Sequence, residues 1–146
     1  MATLNTTLTL TSTDAFATKT LNHSVTDALT VTAPLADIST MNTDDNIGNG
    51  AGIILAESTS TDTYFVYIKH TGKLADGTTS SHASTDFIKI TNADGDTDFI
   101  KLQPEEFAFF PLNPFDGSDG GIEPGGLKVE AASAEVRIEF AYFKRS

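Results

Sequence analysis

Polar and apolar residues alternate with a period of two along most of this chain, and that pattern predicts strands. Leu4, Thr6, Leu8 and Leu10 alternate with Thr3, Asn5, Thr7, Thr9 and Thr11, a half-buried strand. Ser12-Thr13-Asp14 reads as a turn and Ala15 to Asn22 as a weaker strand. Val25 to Thr32 alternates again, with Asp27 interrupting its apolar face and Pro34 ending it. Leu35 to Met41 suits a strand or a short helical turn. Asn42 to Gly52 is a loop, and Ile53 to Ala56 is a short buried strand. Thr63 to His70 carries Tyr64, Val66 and Ile68 on one face and Phe65 and Tyr67 on the other. Apolar residues on both faces imply a central strand, covered twice or meeting a partner. A polar loop spans Gly72 to Ser84. Glu106 to Leu112 is a strand that Pro111 places at an edge or ends. After a loop over 113–126 rich in Gly and Pro, Leu127 to Ala131 and Ala134 to Lys144 close the chain.

Between these lies a repeat. Thr85-Asp86-Phe87-Ile88-Lys89-Ile90 and Thr97-Asp98-Phe99-Ile100-Lys101-Leu102 are nearly the same phrase, and Asp94-Gly95 between them signals a hairpin. A two-residue loop there would set Ile88 opposite Lys101 and Lys89 opposite Ile100. An odd-length loop instead gathers Ile88, Ile90, Ile100 and Leu102 on one face and Phe87, Lys89, Phe99 and Lys101 on the other. A one-residue slip exchanges the faces. Burying four aliphatics is worth about 1.5–3 kcal/mol each. Opposing Lys89 to Lys101 costs about 0.2–1 kcal/mol, reduced by the nearby Asp86 and Asp98. The odd-length loop is the expectation.

Nine or ten short strands without a helix of normal length predict an all-β, antiparallel β-sandwich of jelly-roll or Greek-key type. The 146 residues are expected to form one domain, with Thr-rich N-terminal strands over 1–41 and central and C-terminal strands over 63–143. The 22 threonines and ten phenylalanines fit this class. A net charge of -11 argues against a nucleic-acid partner. No apolar run approaches the roughly 18–20 residues of a membrane span. The N-terminal residues lack a basic and an apolar region, so no secretory signal is expected and the sequons at Asn5 and Asn22 read as accidental. The chain has no cysteine, which removes disulfides and thiolate chemistry.

Candidate chemistry changes the picture little. Asp94, Asp96 and Asp98 have calcium-loop spacing with Glu105 at the twelfth position, but Phe99 stands where the loop needs glycine. Asp116 with Asp119, and Asp44-Asp45-Asn46, are weaker oxygen-rich loops. His23, His70 and His82 show no ligand spacing and read as surface residues. No Gly-x-Ser-x-Gly elbow marks a nucleophile, and Glu105 and Glu106, adjacent in a strand, point apart and cannot form a glycosidase pair. The expectation is no enzyme, no cofactor and no metal. The aromatic residues Phe65, Tyr67, Phe87, Phe99 and Phe143, with Phe109 or Phe110, exceed the needs of one buried face and are the candidate interface. Self-association is expected through a homo-oligomer such as a trimer.

Tyr64 to Thr71, Phe99 to Leu112 and Leu127 to Ala131 before a closing aromatic strand resemble small structural proteins of tailed, particularly marine, phages. The likeness covers 63–143, and Glu105 stands where that pattern has a turn glycine. It implies a virion component made in the host cytoplasm and placed on the particle's outer surface. A head decoration (cement) protein bridging copies of the major capsid protein comes first, a tail or fibre subunit second. A carbohydrate-binding or adhesion module, using Tyr64, Tyr67 or Tyr142, is the alternative from another class.

Overall fold

The computed structural model describes residues 2–16, 19–34, 39–43, 53–55, 63–92, 98–112 and 126–145. They form ten strands and no helix: β1 (Ala2–Phe16), β2 (Lys19–Pro34), β3 (Ser39–Asn42), β4 (Ile53–Leu55), β5 (Tyr64–Leu74), β6 (Ile88–Asn92), β7 (Asp98–Leu102), β8 (Phe107–Leu112), β9 (Leu127–Ala131) and β10 (Val136–Arg145).

Two antiparallel sheets pack face to face. One has the order β1-β2-β10-β5-β8, with β3 also on β10; the other has the order β4-β9-β6-β7. The pairs β6·β7, β5·β8, β4·β9 and β3·β10 nest inside one another around the β6–β7 turn, as in one long hairpin. Folding that hairpin over adds β5·β10 and β6·β9 and gives the jelly-roll order in both sheets. The predicted sandwich is what forms.

The core lies between the sheets. Val66, Ile68, Val136 and Ile138 enter it from the first sheet, and Ile88, Ile90, Leu127 and Val129 from the second, all fully buried. Leu102 belongs to the same cluster, and Ile100, Tyr64, Phe110 and Tyr142 pack against it. The repeat takes the odd register: Ile88 pairs with Leu102, Lys89 with Lys101 and Ile90 with Ile100. Each opposed lysine has its own partner. Lys89 Nζ is 2.7 Å from Asp98 Oδ2, and Lys101 Nζ sits 3.6 Å from the centre of the Phe87 ring. Asp86, at the matching place in the first copy, is engaged elsewhere, by Ser81, Ser133 and the Ala83 N–H.

Three expectations need correction. Ser12-Thr13-Asp14 is no turn: β1 runs through it to Phe16 with only a shift in register, and Phe16 pairs with Lys19. The strand predicted over 3–11 therefore continues to Phe16, and the segments predicted over 15–22 and 25–32 are divided between this strand and β2, giving two long strands of 15 and 16 residues, not short ones. They make a ribbon that joins the sandwich through the last residues of β2 on β10, at Pro34, Ala33 and Val31. The predicted half-buried face is fully buried at this junction and largely open along the middle of the arm. Val31 is buried, but Leu8, Leu10 and Val25 are 43–50% exposed. At about 3.3 Å per residue the arm is roughly 50 Å long, more than sheet-on-sheet packing covers.

The third correction is His70, which is buried and not a surface residue. It continues the inward face of β5 set by Val66 and Ile68. The Gly72 N–H donates to its Nδ1 at 3.0 Å, so Nε2 carries the proton and donates to the Asp86 carbonyl at 2.7 Å. Burial lowers the His70 pKa, assisted by His82 and opposed by Asp86.

Candidate interaction surfaces

Sheet pairing decides which aromatic side chains share a surface, because directly opposed residues point to the same face. Phe65 pairs with Pro111 and Phe143, and Tyr67 pairs with Phe109 and Ala141. Lys69 pairs with Phe107 and Glu139. These residues form the outer face of the first sheet, since Val66 and Ile68 point into the core. Of the candidate interface, Phe65, Tyr67 and Phe143 come together here. Phe87 and Phe99 lie on the outer face of the second sheet, across the sandwich. The five are two surfaces, not one.

On the first surface the rings are ordered. Phe65 stacks on Phe109 with centroids 6.0 Å apart and planes 12° from parallel. Arg145 covers Phe65 at 4.9 Å, which leaves Phe65 buried. Tyr67 lies beside Phe107 at 6.3 Å. Desolvation, then the charge of Glu139, raises the Tyr67 pKa above its ordinary value, so its hydroxyl stays neutral well into alkaline solution. The rings that face solvent are Phe107, 60% exposed, and Phe109, 39% exposed. Phe107 was missed by the sequence reading and Phe109 was named only as one of two. The signal was available in Phe-Ala-Phe-Phe-Pro, where Phe107 and Phe109 share a parity opposite to Phe110 and Leu112.

The arm borders this surface. Thr6, Thr7, Leu8 and Val25 line an open groove of about 500 Å³ with Tyr67, Phe107 and Phe109. Apart from the Tyr67 hydroxyl and the threonines, its walls are hydrocarbon. Such a groove suits an apolar, shape-matched partner surface.

The second surface is smaller and charged. Phe87, Lys89, Asp98, Phe99, Ile100 and Lys101 line a shallow depression. Beside it, Lys128 and Glu130 on β9 form a buried ion pair at 2.9 Å. Lys89 is the neighbour of Glu130 across the β6–β9 pairing, and hydrogen bonding to Asp98 raises the Lys89 pKa. Lys89 and Lys128 are thus paired with carboxylates, while Lys101 rests on the Phe87 ring.

The loop candidates fall largely elsewhere. Asp94, Asp96, Asp116, Asp119, Asp44, Asp45 and Asn46 lie outside the described residues. Asp98 is held by Lys89. Glu105 sits in a turn with φ of +72°, next to Pro104, where Glu106 N–H donates to the Gln103 carbonyl at 3.0 Å. Among the described residues no group of three or more His, Cys, Asp or Glu could hold a metal ion. Tyr64 and Tyr142 pack edge to face at 5.9 Å against the core, so only Tyr67 of the three tyrosines borders the groove.

A further cluster organises the loop between β5 and β6. The Asp86 carboxylate accepts from Ser81 Oγ at 3.0 Å, from Ser133 Oγ at 3.1 Å and from the Ala83 N–H at 3.3 Å. These bonds, Ser81 foremost, lower its pKa. With His70 on its carbonyl, Asp86 ties β5, the loop and the β9–β10 turn together.

No protein-family model matches this sequence, and no curated protein matches it.

Proposed function

We propose that this protein is a structural component of a tailed-phage virion, a decoration protein that stabilises the head by bridging capsid subunits. The observation that carries the reading is the aromatic outer face of the first sheet, flanked by the arm. Phe107 and Phe109 together expose about as much area as one whole phenylalanine. Covering about 150–250 Å² contributes roughly 4–6 kcal/mol per contact at 25 cal/mol per Å², before the entropic cost of docking. Repeated over many copies, a contact of that size stabilises a shell by mass action. The net charge of -11 suits the outside of a particle, away from packaged nucleic acid. The jelly roll agrees with the role but does not select it, because the architecture serves capsid proteins and lectins alike.

The deciding experiment images the intact particle, with the chain located by a tag on its described C-terminal strand. Density of this size on the head surface is the expected result. Density on the tail moves the assignment to a tail or fibre subunit, and absence from particles refutes the virion role.

A further inference from the structure

Strand edges are open templates for pairing, and proteins protect them with charge, proline, bulges or shortness. Most edges of this fold are so protected. β8 carries Pro111, β7 carries Asp98 and Lys101, and β3 and β4 have four and three residues. The part of β2 beyond its junction with β10 carries Lys19, His23 and Asp27. The outer edge of β1 differs. From Ala2 to Thr13 it has no charge, no proline and no glycine, and among the described residues it pairs with β2 alone. Its pairing with β2 is regular from Ala2 to Ser12, so no bulge interrupts the edge over that span.

We propose that β1 is a self-association edge on which a second copy of this chain adds its own β1, antiparallel, across a two-fold axis at Thr7. Three observations select a second copy as the occupant. First, each chain carries a net charge of -11, whereas the first 34 residues hold only Asp14, Lys19 and Asp27 among charged groups. The arm is therefore where two copies approach with least repulsion. Second, Thr7 is the midpoint of the regular span, and a two-fold there opposes like residues at most positions, with Thr6 against Leu8 and Ala2 against Ser12 as the exceptions. Leu4 meets Leu10, Thr3 meets Thr11, Asn5 meets Thr9, and Thr7 meets itself. Any such register that keeps leucine on the leucine face must have this parity. Third, the arm already carries a hydroxyl ladder on this face, Thr7 to Thr26 at 3.1 Å and Thr9 to Ser24 at 3.3 Å, which a second β1 would extend.

The product is a four-stranded ribbon with β1 of each copy at its centre. Pairing over Ala2–Ser12 makes roughly one main-chain hydrogen bond per residue, comparable to the roughly ten direct hydrogen bonds of a stable interface. The contact is isologous and closes after two copies. It does not rest on the virion reading.

The test uses the purified full chain, whose lack of cysteine gives a clean background. Thr7→Cys places two thiols at the distance of a cross-strand pair, within disulfide range. Mild oxidation is expected to convert it to a covalent dimer. Thr26→Cys, one strand inward, is expected to stay a single chain under the same treatment. Thr7→Lys opposes two lysines on the axis and is expected to halve the mass measured by light scattering while the circular dichroism is unchanged. A monomeric wild type at all concentrations, an unchanged mass for Thr7→Lys, or equal cross-linking by Thr26→Cys would each overturn the proposal.

Discussion

Replacing His70 with leucine is expected to cost about 2–6 kcal/mol of stability. The imidazole serves two main-chain groups at once, accepting from the Gly72 N–H and donating to the Asp86 carbonyl. Leucine fills similar space but leaves both without that partner, at about 1–3 kcal/mol each. Two intermediate variants divide the effect. In His70→Asn the amide oxygen lies near the Nδ1 position and retains the Gly72 bond, while in His70→Gln the amide nitrogen reaches toward Asp86 and retains the other. Both are expected to fall between wild type and leucine. Urea unfolding followed by tyrosine fluorescence, undisturbed because the chain has no tryptophan, supplies the free energies. A second signature is pH. Because burial lowers the folded-state pKa of His70, its contribution is fully present above the unfolded value of about 6.5 and is lost as pH falls through the lowered folded value. The wild type is thus expected to weaken on mild acidification more than His70→Asn or His70→Gln. A leucine variant within about 0.5 kcal/mol of wild type, an ordinary surface result, would refute the two-bond clamp.

Other predictions follow from particular geometries. Glu105→Gly removes a left-handed non-glycine residue from the turn after Pro104 and is expected to raise stability by about 0.5–1 kcal/mol, read as a higher urea midpoint. Gly77→Ala is expected to destabilise by about 1–2 kcal/mol, since φ is +71° and a Cβ would lie 2.7 Å from Arg137 Nη1. Asp76 caps the same turn, accepting from the Thr79 hydroxyl at 2.6 Å and from the Thr78 and Thr79 N–H groups at 2.8 Å, and these bonds, the hydroxyl foremost, lower its pKa to about 2. Its contribution is present above the unfolded value and fades only in strong acid, a titration that carboxylate NMR can follow. Phe107→Asp, on a ring 60% exposed, is expected to leave the isolated fold within about 0.5 kcal/mol of wild type while abolishing particle binding in a pull-down. Loss of folding instead would make Phe107 a core residue.

The parts of this fold legible in the sequence are those where burial alone decides. Ile88, Ile90, Ile100 and Leu102 offered one register that buries all four, and that register forms despite the lysine pair it creates. Tyr64, Val66 and Ile68 marked the inward face of β5, and the same parity would have placed His70 inside had it been followed two residues further. The arm was less legible. Alternating leucine and threonine states that a strand exists, but not whether anything covers its leucine face. Ser12-Thr13-Asp14 has turn chemistry, yet β1 continues through it as an irregularity between the pairs Ser12–Leu21 and Phe16–Lys19. The aromatic surface needed the strand order. Phe107 and Tyr67 are 40 positions apart in sequence and become neighbours only because β8 lies beside β5.

The repeat in the middle of the chain acquires its meaning from that order. Because β6·β7, β5·β8, β4·β9 and β3·β10 are nested, the β6–β7 turn is the point about which the whole sandwich is folded. Its two strands must present the same aliphatic pair to the same core, and near-identical phrases meet that demand. Outside the core the copies diverge, because their neighbours differ. Asp98 holds Lys89, whereas Asp86 fastens the loop that brings β5 back toward β6 and reaches Ser133 beside β10. Repetition here records a shared packing requirement, and divergence records two local environments. The two surfaces proposed for interaction belong to parts the repeat does not contain: the Phe107–Phe109 face, which β8 presents from the opposite sheet, and the uncharged edge of β1, which lies outside the nested pairs altogether.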